Sequence, residues 1–109
     1  MAGEFANTYV GPPYKSAEVT FDNEKARNDD TVQAARFIGA GRFLLGDLVK
    51  GKPKGSETRI NGACSDLVVL HLQALRYLSS AGIKRVLLTV EGREEEINVE
   101  GDISNIFIR

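Results

Sequence analysis

Cys64, His71, a basic stretch at 50–59 and a run of carboxylates at 91–102 are the residues whose types and spacing admit chemistry. Cys64 stands just ahead of a helical apolar pattern, where a helix N-terminus lowers a thiol pKa and favours thiolate. His71 lies further along that helix, about 10 Å of rise away, which is beyond hydrogen-bond reach and rules out a Cys–His pair. It also falls between Leu67, Leu75 and Leu78 on the apolar face. We therefore read it as a core histidine with its hydrogen bonds satisfied, and Cys64 as a small buried hydrophobe. One His and one Cys do not make a zinc site of the usual kind, so no metal and no cofactor is implied.

The stretch EGREEEINVEGD, residues 91–102, holds six carboxylates against one arginine. On a strand Glu94 and Glu96 share one face and Glu95 takes the other. Carboxylates at that spacing can bind a metal or act as an acid–base pair, but no other ligand is tied to them by spacing. Solvated side chains that guard a sheet edge are the simpler reading. As a functional surface, Glu91, Glu94, Glu95 and Glu96 would address a basic partner.

The stretch KGKPKGSETR, residues 50–59, carries Lys50, Lys52, Lys54 and Arg59 against Glu57. It lacks the phosphate-loop pattern, since Gly55 is followed by Ser56 where a lysine is required. A looser anion site at the following helix start would be weakened by Asp66. No aromatic side chains interleave the lysines, so a basic connector is the simpler reading and a nucleic-acid contact the alternative. No G-x-S-x-G elbow, H-E-x-x-H pair, zinc-deaminase signature or dinucleotide fingerprint occurs in the chain.

The elements that position these groups follow from periodicity. Residues 1–16 are expected to form a partly ordered arm, with Gly11-Pro12-Pro13 extended and Tyr9 or Tyr14 pinning it to the domain. Alternation of Val19 and Phe21 with Glu18 and Thr20 predicts a strand over 18–21. Asn28, Asp29 or Asp30 can cap a helix that starts near Thr31 and runs to Val49. Its apolar stripe persists for about five turns, which favours one helix over two strands, ARFIG and RFLLGDLV. Gly41 lies in that stripe, where the missing side chain permits another helix to approach closely. A second helix is expected from a cap at Ser65 or Asp66 to Ala81, ended by Gly82. It is apolar over more than half its circumference, so we expect the first helix and a sheet to cover it at the centre of the fold.

A hairpin follows. A type II′ turn with Gly92 and Arg93 at its centre would pair Leu88 with Ile97 and Val86 with Val99. A turn near Gly101-Asp102 would then lead into a last strand, Asn105 to Arg109.

With 109 residues, 42% hydrophobic and 27% charged, residues 17–109 suit one globular α+β domain. The expected architecture is a small antiparallel sheet, strand order in sequence β-α-α-β-β-β, packed against two helices. A net charge of −1 offers no global attraction for nucleic acid or membrane. A single cysteine, no signal-peptide pattern and no run of apolar residues long enough to span a bilayer make the cytoplasm the expected location. The expected function is a small non-enzymatic interaction domain that binds a macromolecular partner or itself, with a homodimer through a sheet edge as one form. The alternative is a small nucleic-acid-binding protein or nuclease using the 50–59 loop. An enzyme built on Cys64 would show fast alkylation of that thiol in the folded state.

Overall fold

The computed structural model describes residues 10–45 and 62–105, with side chains for 10–42 and 68–105. In chain order the elements are α1 (Pro12–Lys15), β1 (Glu18–Phe21), a 3-10 turn (Glu24–Ala26), α2 (Asp29–Leu45), α3 (Gly62–Ser80), β2 (Arg85–Val90), β3 (Arg93–Asn98) and α4 (Val99–Ser104). The three strands form one antiparallel sheet in the order β1-β2-β3. Alternation places Val19, Phe21, Val86, Leu88 and Ile97 on the inner face, in one cluster with Phe37 and Ile38 of α2 and Leu75 and Leu78 of α3.

The helix expected at 31–49 is a helix over 29–45, and the two-strand alternative is excluded there. Asn28 and Thr31 cap it reciprocally: the Thr31 N–H donates to Asn28 Oδ1 at 2.8 Å, and the Asn28 N–H donates to Thr31 Oγ1 at 2.9 Å. The close approach expected at Gly41 is present, because a Cβ there would lie 2.6 Å from His71 Nδ1 on α3. Gly39 serves the opposite face of α2, where a Cβ would meet Tyr14 Cε1 at 2.7 Å and Leu88 Cδ1 at 2.9 Å. Thus α2, which touches α1, α3, β1 and β2, is the centre of the fold. The second helix shares that core, as expected, through Leu75 and Leu78, which pack in one cluster with the inner face of the sheet, while its closest backbone neighbours are α2 and α4.

Helix α3 begins at Gly62, so Ser65 and Asp66 lie within it and Cys64 belongs to its first turn. Its end is as expected: Gly82 takes φ +90°, its N–H bonds Ser79 O at 3.0 Å, and the Ile83 N–H bonds Leu78 O at 3.0 Å. At the N-terminus Pro12 and Pro13 open a helical turn instead of an extended arm. The first N–H groups of a helix have no intrahelical partner, so two prolines there forfeit nothing. Tyr14 pins this turn onto α2; Tyr9 lies outside the described residues.

The hairpin departs from the expected register. Val86 pairs with Ile97 and Leu88 with Glu95, around a turn whose central residues are Glu91 and Gly92. Both have positive φ, 51° and 80°, as a type I′ turn requires. The displacement is two positions on β3, which keeps every side chain on its expected face. Val99 therefore leaves the ladder after its N–H bonds Lys84 O at 2.9 Å, and starts α4. The turn expected at Gly101-Asp102 is this helix, begun by Asn98, whose Oδ1 accepts from the Gly101 N–H at 3.2 Å. Of the strand expected at 105–109, Asn105 instead ends α4, and 106–109 lie outside the described residues. No helix among the described residues is long and apolar enough to cross a membrane.

Candidate functional site

The predicted acidic residues occupy one hairpin. Glu91 sits in the turn, Glu94 and Glu96 are exposed on the outer face of the sheet, and Glu95 is half-buried on the inner face. Lys50, Lys52, Lys54 and Arg59 lie outside the described residues, as does the side chain of Cys64. Among the described residues no three His, Cys, Asp or Glu side chains are grouped as metal ligands.

The antiparallel ladder decides which backbone groups β3 presents. In a two-residue hairpin the residues flanking the turn exchange both hydrogen bonds, and the pattern then alternates. Arg93, Glu95 and Ile97 therefore turn their N–H and C=O groups toward β2. Glu94, Glu96 and Asn98 turn theirs outward. Arg42, from α2, donates from Nη1 to Glu96 O at 2.9 Å. Among the described residues, the Glu94 N–H, the Glu94 C=O and the Glu96 N–H have no partner.

The opposite edge is arranged differently. On β1 Val19 and Phe21 turn both their N–H and C=O groups outward, with Ala17 O just ahead of them, and side chains meet two of those four strand groups. Arg27 Nη2 donates to Val19 O, and the Phe21 N–H donates to Glu24 Oε2 at 2.6 Å. Arg36 Nη2 donates to Ala17 O at 3.3 Å. Glu24 and Arg27 pair at 2.6 Å, and the Arg27 guanidinium lies 5.2 Å from the Phe21 ring centroid. The bond from Arg27, then that from Phe21, holds the Glu24 carboxyl below its usual pKa. Side chains thus fill two of the hydrogen-bonding positions that another strand would take, at Val19 O and the Phe21 N–H.

Behind the β3 edge lies a charged cluster. Arg42 and Asp102 have side chains 13% and 10% exposed, and Arg42 Nη1 stands 4.0 Å from Asp102 Oδ2. Burial raises the Asp102 pKa; Arg42 opposes that shift and Glu95 adds to it. His71 is fully buried, its ring 6.4 Å from that of Phe37. Its core position is as expected but its satisfaction is not: neither ring nitrogen has a partner among the described residues. Burial first, and Arg42 second, push its pKa down to about 4. It is neutral at pH 7.

A cleft of about 280 Å³ opens beside the hairpin, lined by Tyr14, Arg42, Val90, Arg93, Glu94 and Glu95 among others. A second hollow of about 290 Å³ shares the Tyr14, Val90 and Arg93 wall and continues onto Pro12, Pro13 and Ala40. The cleft thus has a charged end at the strand edge and an apolar end at α1.

Sequence reasoning put Glu91, Glu94, Glu95 and Glu96 on one hairpin and counted Asp102 in the same acidic run, but singled out none of Arg42, Glu24 and Arg27 and did not pair Asp102 with Arg42. The spacing of Glu24 and Arg27 in the polar turn after β1 was the available signal. Arg42 and Asp102 had none, because they meet across the fold. Compared with protein-family models, with curated proteins and with solved structures, the chain matches none.

Proposed function

We propose that this chain is a small non-enzymatic interaction domain that binds a macromolecular partner by adding a strand to the β3 edge. The observation that carries the reading is the difference between the two edges. On β1 each outward-facing residue has one of its two groups met by a side chain, at Val19 O and the Phe21 N–H, whereas neither group of Glu94 has a partner among the described residues. Unpaired edge groups are a template for a further strand, and proteins that gain nothing from pairing cover them. The adjoining cleft can receive side chains that such a segment directs inward.

Glu94→Pro tests this directly. The Glu94 N–H points away from β2, so proline removes an edge donor without removing a ladder bond. A protein recovered from the source lysate by the wild-type chain should be lost with Glu94→Pro while the thermal midpoint stays the same. Equal recovery by both chains would place binding elsewhere and overturn the reading.

A further inference from the structure

The charge along the β3 edge says what kind of strand it would take. We infer that the occupant is an extended segment of a partner protein with basic side chains at alternate positions, an inference that rests on the strand-addition reading above. A strand added to β3 places its outer-face side chains beside Glu94 and Glu96, at the roughly 5 Å spacing of cross-strand neighbours. Both carboxylates are exposed on that face. Glu94 has no ion-pair partner among the described residues. Glu96 lies 3.7 Å from Arg85, but those side chains are 59% and 69% exposed, which leaves the pair weak and exchangeable. Two basic side chains at i and i+2 of an extended segment meet Glu94 and Glu96 in turn. The side chain between them points inward, toward half-buried Glu95 and the cleft beside Tyr14.

The same geometry rejects other occupants. Two copies of β3 paired about a two-fold at Glu94, Glu95 or Glu96 would set a glutamate against its own symmetry mate, which is destabilising. A nucleic-acid strand would bring phosphates to the same carboxylates. Arg42 already holds Glu96 O, so the added strand is short, using the Glu94 N–H and C=O and the Glu96 N–H.

The experiment is a titration of the full chain, followed by backbone amide NMR, with three short synthetic peptides that alternate threonine with lysine, glutamine or glutamate. The lysine peptide should bind and shift the Glu94 and Glu96 amides, and its affinity should fall about tenfold or more on raising salt from low to moderate ionic strength. Glu94→Lys with Glu96→Lys, both exposed and outside the core, should reduce that affinity at least tenfold with the thermal midpoint retained. Equal binding of the lysine and glutamine peptides at the same amides would overturn the basic-partner inference and leave strand addition standing. Binding of none would count against both. A dimer in sedimentation that Glu94→Pro disperses would put a second copy on the edge and overturn the inference as well.

Discussion

The two edges of this sheet solve the same physical problem with different means. Strand β1 is partly closed from outside by Glu24, Arg27 and Arg36, whose side chains take the Phe21 N–H, Val19 O and Ala17 O. Strand β3 is supported from behind by Arg42 and Asp102, and its outward groups at Glu94 have no partner among the described residues. The lock on β1 is solvent-exposed and rests on local sequence, with Glu24 and Arg27 three residues apart. The support of β3 is buried and assembled from α2 and α4. An exposed lock can be opened without unfolding the domain, whereas a buried support is part of the fold's stability.

The largest effect should therefore come from Arg42. Arg42→Met removes the donor to Glu96 O and leaves Asp102 buried beside Glu95 without its compensating charge. Breaking a buried pair by removing one partner costs about 3 to 4 kcal/mol, and urea unfolding at pH 7 should show a loss of that order. Adding Asp102→Asn to Arg42→Met should restore part of it, since the uncompensated carboxylate is then gone. A loss under about 1 kcal/mol, the range of an exposed pair, would mean that the two edges are supported alike.

Much of the frame was legible in the sequence because it depends on local signals. The alternation around Val19 and Val86, the stop at Gly82, the cap at Asn28 and the small residue at Gly41 each report a backbone or packing requirement at that position. The hairpin register was not legible. Types II′ and I′ both accept Gly92, and they differ here by two positions on β3, a shift that leaves the apolar faces unchanged. Only the three-dimensional fold shows Glu91 at φ 51°, a conformation costing about 1 kcal/mol for a residue with a Cβ. Helix α4 is too short for periodicity to show, and its signal was the Asn98 cap followed by Glu100 and Asp102 near the positive end of the dipole. The acidic hairpin was found from composition. Which of its carboxylates faces outward, and which backbone groups go unpaired, required the ladder.

The second prediction concerns His71, buried on α3 close to Gly41 and Phe37 of α2. In the unfolded chain it titrates near 6.5, and in the fold near 4, so acid protonates the unfolded state first. Stability should fall as pH drops from about 6.5 to about 4 and then level off, a total of about 3 kcal/mol. Asp102 acts the other way. Its pKa is raised in the fold, so its contribution is lost as pH rises through the carboxylate range and partly returns on acidification. Comparing wild type with His71→Leu across pH 7 to 4 cancels Asp102 and isolates the histidine. The stability difference between the two should change by about 3 kcal/mol over that interval. Parallel curves would mean that the imidazole finds a proton acceptor in the fold and is not a neutral, unpartnered core group.

The smallest effect belongs to the exposed lock. Glu24→Gln weakens the acceptor for the Phe21 N–H and the pair with Arg27, with little change in global stability because both side chains are largely in water. The readout is local. Exchange of the Phe21 amide should speed up by about tenfold, the scale of one charge-assisted hydrogen bond, while amides of β2 keep their protection. Acid should likewise lower the protection of the Phe21 amide, relative to its intrinsic exchange rate, in the wild type. The Glu24 carboxyl is held below its usual pKa by Arg27 and Phe21, so its contribution is present above that range and is lost as pH falls through the folded value. In contrast, the Glu94 amide should exchange near its intrinsic rate at every pH, since nothing among the described residues accepts from it. If Glu94 is instead as protected as Phe21, the two edges are equally closed and strand addition at β3 has no free donor to use.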